Sequence, residues 1–337
     1  MSSASLTNRP IPAFLLAVLR EAGEVSLRLF RIMVPILAGV KILQELGAVS
    51  YLALPLKPLM QLVGLPGEMG LVWATAMLNN LYSGIVVFLS LPQAQALSVA
   101  QVTVLTTMML VAHALPVEGR IAQESGNRIC FQILLRVGGA LLLGVLLHLA
   151  YSGAGWLQQD NVIFWQGGGA ADAGWVQWGI AQLRNLAAIF LIILGLVLLL
   201  RTLERFRVTE FFVRMLEPVL RFLGMGRATA PLTIVGMTMG LTYGGGLIIK
   251  ESRSGRVPRR DVFASVSMMG LSHSLIEDTM LMRLMGGHFS GILWGRLIFS
   301  LAAVYLLVRI VPRLSGKVVH RVLYRTDAET TADPDPS

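Results

Sequence analysis

Met108-Met109-Leu110-Val111-Ala112-His113 has a counterpart 160 residues further along, Met268-Met269-Gly270-Leu271-Ser272-His273. The same displacement pairs Pro58 with Pro218, Gly64 with Gly224, Met77 with Met237, Leu81 with Leu241 and Gly84 with Gly244. It continues through Leu115 and Leu275, Gly126 and Gly286, and Arg136 and Arg296, without a gap from about residue 36 to 147. Matches among Leu and Gly arise by chance in an apolar chain. A shared Met-Met-x-x-x-His and a shared Arg within an apolar run do not. The chain therefore reads as a duplicated unit.

The surroundings of that unit are membrane-like. Of 337 residues, 55% are apolar and 14% charged, and the mean hydropathy is +0.68. Soluble domains carry about 25% charged residues, and a disordered chain has far less apolar surface, so both classes are excluded. The net charge of +9 does not point to nucleic acid, because Lys and Arg separate apolar runs instead of covering a polar face. A single cysteine, Cys130, excludes a disulfide framework and a cysteine-based zinc site. A spanning helix needs about 20 mostly apolar residues. Ile32–Leu46 with its flanks, Val137–Tyr151, Leu186–Leu200 and Ile292–Val308 supply them. Val99–Leu115 and Val262–Met282 do so with Thr, Ser, Met and His interspersed. Two more stretches are broken: Met69–Leu91 by Asn79-Asn80-Leu81-Tyr82-Ser83-Gly84, and Ala230–Ile249 by Thr242-Tyr243-Gly244-Gly245-Gly246.

Basic residues set the expected orientation, since Lys and Arg stay in the cytoplasm. None occurs from Pro58 to Gly119 or from Val137 to Leu183. They cluster at Arg201–Arg227, Lys250–Arg260 and Arg309–Arg325. The segment around Tyr243 has basic clusters on both sides, so it is expected to enter and leave from the cytoplasm as a re-entrant hairpin. The segment around Tyr82 would dip in from outside. The expected fold is an all-α polytopic membrane protein of about six full spans plus two re-entrant hairpins. With three crossings each, the two repeats have inverted topology, an arrangement of secondary transporters. The expected divisions are an amphipathic cytoplasmic helix (1–30), a first repeat (31–151), an external Gly/Trp-rich connector (152–183), a second repeat (184–310) and a basic, then acidic, cytoplasmic tail (311–337). The expected location is the bacterial inner (plasma) membrane, with both termini cytoplasmic.

This combination of duplicated unit, hairpin and His-bearing helix resembles the Gate, or nucleoside-recognition, domain. That domain occurs in concentrative nucleoside transporters, in the membrane part of FeoB-type ferrous iron transporters and in spore maturation proteins A and B. The resemblance rests on Leu241-Thr242-Tyr243-Gly244-Gly245-Gly246-Leu247-Ile248-Ile249-Lys250-Glu251 and on Met268 to Thr279. In the first half it rests on Asn79 to Gly84 and His113-Ala114-Leu115-Pro116-Val117-Glu118. It covers roughly residues 30 to 310 and implies a membrane permease. No Gly-x-x-x-x-Gly-Lys-Ser/Thr is present, which excludes a complete FeoB-type protein with its GTPase.

Candidate residues follow from chemistry expensive to place in lipid. Asn79, Asn80, Tyr82, Ser83, Thr242, Tyr243, Gly244, Gly245 and Gly246 are read as solute contacts: the polar groups donate and accept, and the glycines let backbone turn and approach a ligand. The alternative for the glycines is tight helix packing. His113, Glu118, His273, Glu277 and Asp278 are candidates for ion binding or coupling. His273 and Glu277, four apart, would share a helix face, and a metal site would require His113 and His273 to converge with Glu277. Arg136 and Arg296 are either anion contacts or snorkelling side chains. No catalytic motif is found, and Ser272 and His273, adjacent on a helix, point about 100° apart, so an enzyme is not expected. The expected function is transport of a small polar solute, nucleoside-like ones included. The alternatives are a divalent-cation permease without its own GTPase, or a non-transporting scaffold of the spore-maturation type. Expected partners are lipid and the solute or cation, with a homo-oligomer left open, no nucleic acid and no cofactor.

Overall fold

The computed structural model describes residues 11–162, 174–206, 208–226, 229–254, 257–313 and 322–324. Among them there is no β-strand, only the isolated bridges Ser98–Asp160 and Asn127–Tyr324. Four helical segments among the described residues are long and apolar enough to cross a membrane: Val99–Glu124, Ile129–Gly153, Trp175–Leu203 and Ser290–Arg313. Their outer faces expose Leu134, Leu142, Leu146, Leu149, Leu191, Ile298 and Leu306. A water-soluble surface rarely carries so much contiguous apolar area. Lipid is the solvent for which these faces are built.

The chain opens with α1 (Ile11–Glu45). The amphipathic segment expected to lie on the membrane and end at residue 30 is not separate; it is continuous with α1. Val18, Ala22, Ser26, Met33 and Leu37 form a buried stripe at helical spacing. That stripe packs α1 against α9 (Trp175–Arg205). The two run antiparallel: the carboxylate of Glu21 accepts from Arg201 Nε at 2.9 Å and Nη2 at 2.6 Å. α9 likewise starts inside the segment expected to be connector. Of that segment, residues 163–173, with Trp165, lie outside the described residues. So does the acidic tail beyond Tyr324.

After the short helices α2 (Ala48–Ala53) and α3 (Lys57–Leu62) comes a pair, α4 (Met69–Leu78) and α5 (Leu81–Ser90). A Cβ built on Gly84 meets Ala76 Cβ at 2.9 Å and Val72 O at 3.2 Å. Residues eight apart in one straight helix would be about 12 Å apart, so α4 and α5 fold back as a hairpin. In the second half, α10 (Val208–Phe222) precedes α11 (Thr229–Met239) and α12 (Leu241–Arg253). A Cβ built on Gly236 would lie 3.3 Å from Gly244 Cα, which makes the same hairpin with the same crossing residues displaced by 160.

The break in the second hairpin differs from expectation. The turn is at Gly240, φ +94°, and Gly244–Gly246 are helical. Their small size serves close packing. Gly244 crosses Gly236, a Cβ on Gly245 would lie 2.5 Å from Ile121 Cγ2, and Gly246 has nothing within 4 Å. In the first hairpin the helix stops at Leu78 and resumes at Leu81, within the expected interruption.

Two further helices are interrupted. α6 (Val99–Val111) leads through a break into α7 (Leu115–Glu124). α13 (Arg259–Leu271) leads through a break into α14 (Glu277–Leu284). α8 (Ile129–Gly153) and α15 (Arg296–Ile310), which is preceded by a π-helical turn at Ser290–Gly295, complete the set. α8 serves as a ruler. At its start, the Phe131 ring packs at a tilt against Phe263 of α13 and Arg128 Nε donates to Tyr324 O. Beyond its far end, Leu157 O accepts from Ala100 N of α6. α6 and α13 therefore enter the molecule from opposite ends of α8.

Candidate functional site

α6 and α13 meet at their broken ends. The residue after each histidine, Ala114 and Ser274, adopts a left-handed conformation with φ 46°. That conformation is unfavourable for residues other than Gly and persists where the surroundings enforce it. Here the enforcement comes from the neighbouring hairpins: Ala114 N donates to Ala76 O at 2.9 Å, and Leu275 N to Met237 O at 2.8 Å. Stopping two helices inside an apolar bundle leaves carbonyls without partners. Arg136 and Arg296 supply them. Arg136 Nε donates to Val111 O at 2.9 Å and Nη2 to His113 O at 2.9 Å. Arg296 Nε donates to Leu271 O at 3.1 Å and Nη2 to His273 O at 2.6 Å. Both arginines are almost fully buried, so neither snorkels. They act as caps for unwound backbone.

The breaks turn the two imidazoles toward each other. His113 Nε2 and His273 Nε2 are 3.1 Å apart. Each ring's Nδ1 contacts the carbonyl four residues earlier, Met109 O at 3.0 Å and Met269 O at 2.8 Å. A carbonyl only accepts, so both Nδ1 atoms carry the proton. Glu118 Oε1 lies 3.4 Å from His113 Nε2 and 3.2 Å from His273 Nε2. Its Oε2 pairs with Arg136 Nη1. Asp278 Oδ2 lies 3.8 Å and 4.0 Å from the same two nitrogens. A small pocket lined by Leu115, Glu118, Gln132, Arg136, Val266 and Gly270 among others reaches the Glu118–Arg136 pair.

The two halves of this centre are not identical. Glu118 and Asp278 stand 160 apart, as do the arginines. Glu118 closes on Arg136. Asp278, one methylene shorter, does not reach Arg296, whose buried Nη1 has no hydrogen-bond partner among the described residues.

The other candidates fall into three groups. Glu277 does not join the histidines. The left-handed Ser274 interrupts the helix between residues 273 and 277, so their spacing no longer places them on one face, and Asp278 takes the position instead. Asn79, Asn80 and Ser83 are tied to one another at the first hairpin tip. Ser83 N donates to Asn80 Oδ1 at 2.9 Å, which caps α5, and Asn79 Nδ2 donates to Ser83 Oγ at 2.6 Å. The side chains of Thr242 and Tyr243 lie outside the described residues. The sequence contained a signal for the Glu118–Asp278 pairing, since these carboxylates share the displacement of the histidines. Only the breaks at Ala114 and Ser274 show that they face the same point.

Fold and centre together define a helical membrane protein with a buried His–carboxylate–Arg cluster. The chain is 29% identical over 273 residues to the uncharacterized membrane protein YvoD of Bacillus subtilis (strain 168), a match covering 79% of this chain and 84% of that protein. No family model and no solved structure matches.

Proposed function

We propose that the chain is a permease of the bacterial inner membrane, built from two inverted repeats related to the Gate domain, that moves a small polar solute or cation by alternating access. The observation that carries this is the meeting of α6 and α13. Two helices that start at opposite ends of the bundle stop at one buried polar centre, and each is followed by a left-handed residue and a capping arginine at corresponding positions. Element boundaries support the repeat: each end of α13 lies 160 residues beyond the corresponding end of α6.

The re-entrant reading of the hairpins is supported by length. An arm of 10 residues rises about 15 Å, half of a hydrocarbon core of about 30 Å. Broken backbone at that depth is tolerated where protein or a polar cavity satisfies it, which is the work of Asn80, Arg136 and Arg296. Sidedness is supported by Arg128, Arg253 and Arg260, which gather where α7 ends and α13 begins. Basic loops stay in the cytoplasm, so in this reading the pocket beside Glu118 faces the cytoplasm. Among cargo classes, a cation is favoured over a nucleoside-like solute, because the carboxylates and imidazoles converge while the hairpin-tip amides bind one another.

Uptake into proteoliposomes tests the reading. Purified protein should accumulate at least one member of a panel of labelled nucleosides and of Mn²⁺, Zn²⁺ and Fe²⁺. No flux of any of them by folded protein would leave the scaffold reading standing. In a Cys130→Ser background, cysteines at Ser254 and Gln159, both exposed, should label from opposite sides of the membrane. Labelling from one side removes the inverted arrangement.

A further inference from the structure

We infer that His113, His273 and Glu118, with Asp278 as a fourth contributor, bind one divalent transition-metal ion at the junction of α6–α7 and α13–α14. The inference deepens the permease reading by naming a cargo class, and it rests on that reading only for the ion's being cargo.

The argument is an inventory of protons and lone pairs. Both Nδ1 atoms hold their protons against Met109 O and Met269 O. Each ring in its neutral form therefore presents a bare Nε2 lone pair, and the two Nε2 atoms face each other at 3.1 Å. Glu118 Oε1, also bare, stands 3.4 Å and 3.2 Å from them. Three lone pairs converge with no donor among them. A single added proton on one ring bridges to the facing nitrogen or to the carboxylate oxygen, and does not draw all three lone pairs to one point. One cation at the centre satisfies all three at once.

Size and surroundings agree. Zinc-type ligands bind at about 2.0–2.1 Å, which in a tetrahedron places ligand atoms about 3.3–3.4 Å from each other. The observed separations of 3.1, 3.2 and 3.4 Å lie at or slightly below that value. Asp278 Oδ2, at 3.8 and 4.0 Å, is placed to complete the set with a small movement. Two imidazoles with carboxylate select a transition metal over Mg²⁺ or Ca²⁺, which prefer oxygen alone. The outer contacts are those of a built metal site: each Nδ1–H is held by a main-chain carbonyl, and Glu118 Oε2 is held by Arg136. The pocket beside Glu118 and Arg136 borders the carboxylate of this set.

The test uses the full chain in detergent with Cys130 replaced by Ser, and Co²⁺ as the probe. One Co²⁺ should bind per chain with the visible absorption of a four-coordinate ion. Zn²⁺ should displace it and Mg²⁺ should not. His113→Gln and His273→Gln should each weaken binding by more than about 100-fold, beyond the about 10–100-fold typical of outer-shell partners. Asp278→Asn should weaken it less and shift the absorption bands. Zinc-edge X-ray absorption of the protein with otherwise native residues, which depends on no substituted ligand, should show two imidazoles and no sulfur. Absence of saturable Co²⁺ binding by monodisperse, helical protein overturns the inference. So does binding that survives the double histidine substitution, or sulfur in the zinc shell. Metal binding without flux in liposomes keeps the site and removes the permease. Solute flux without metal binding does the reverse.

Discussion

Arg136→Met should destabilise the fold more than Arg296→Met, although the two guanidinium groups occupy matching places. Each caps two carbonyls at a stopped helix: Val111 and His113 for one, Leu271 and His273 for the other. Methionine keeps much of the alkyl volume but donates nothing. A buried polar group left without its partner costs about 1–3 kcal/mol, so two stranded carbonyls make about 2–6 kcal/mol for either variant. The difference lies in the third nitrogen. Arg136 Nη1 pairs with Glu118, and its loss leaves a carboxylate buried without its cation, a change worth about 3–5 kcal/mol. Arg296 Nη1 has no partner to lose. Arg136→Met should therefore exceed Arg296→Met by about 3–5 kcal/mol. Glu118→Gln removes the charge, and in that background the two should agree within about 1 kcal/mol. Equilibrium unfolding in mixed micelles, followed by helical circular dichroism, measures all the terms. Equal losses in the parent background, or a difference that persists in the Glu118→Gln background, would refute the reasoning.

Asp278→Glu supplies the missing methylene, so the longer carboxylate should reach Arg296 Nη1 and raise stability by about 1–3 kcal/mol; a lower unfolding midpoint would show that Asp278 is placed for the histidines alone. Gly245→Ala should lower stability by about 1–3 kcal/mol, because its Cβ meets Ile121 Cγ2 at 2.5 Å, and Ile121→Ala should restore it. Gly246→Ala, with open space around it, should instead be neutral or stabilising by up to about 1 kcal/mol, and a loss as large as that at Gly245 would count against the packing described for α12.

Hydropathy, charge pattern and the repeated Met-Met-x-x-x-His were enough to read a helical membrane chain and to select His113, His273, Glu118, Asp278, Arg136 and Arg296. These features are legible because burial in lipid is a one-dimensional demand: length, apolar content and the rarity of charge can be counted along the chain. The interruption at Asn79-Asn80 was legible for the same reason, as a polar pair within an apolar run that caps the helix it starts. What could not be read is where the backbone turns and what the turn brings together. Three glycines resemble a break, yet they lie inside α12, because their small size is used laterally, against Gly236 and Ile121. The break falls at Gly240, and glycine composition alone does not separate a turn from a packing face. Helical spacing favoured Glu277 as the partner of His273. A left-handed Ser274, held by the neighbouring hairpin through the next residue's N–H, cancels that spacing and substitutes Asp278 and, from the other half of the chain, Glu118. Identity of the charged residues is thus a property of the sequence. Their convergence belongs to the tertiary structure, since it depends on two helices stopping at the same depth and on arginines far along the chain accepting the burden of their free carbonyls.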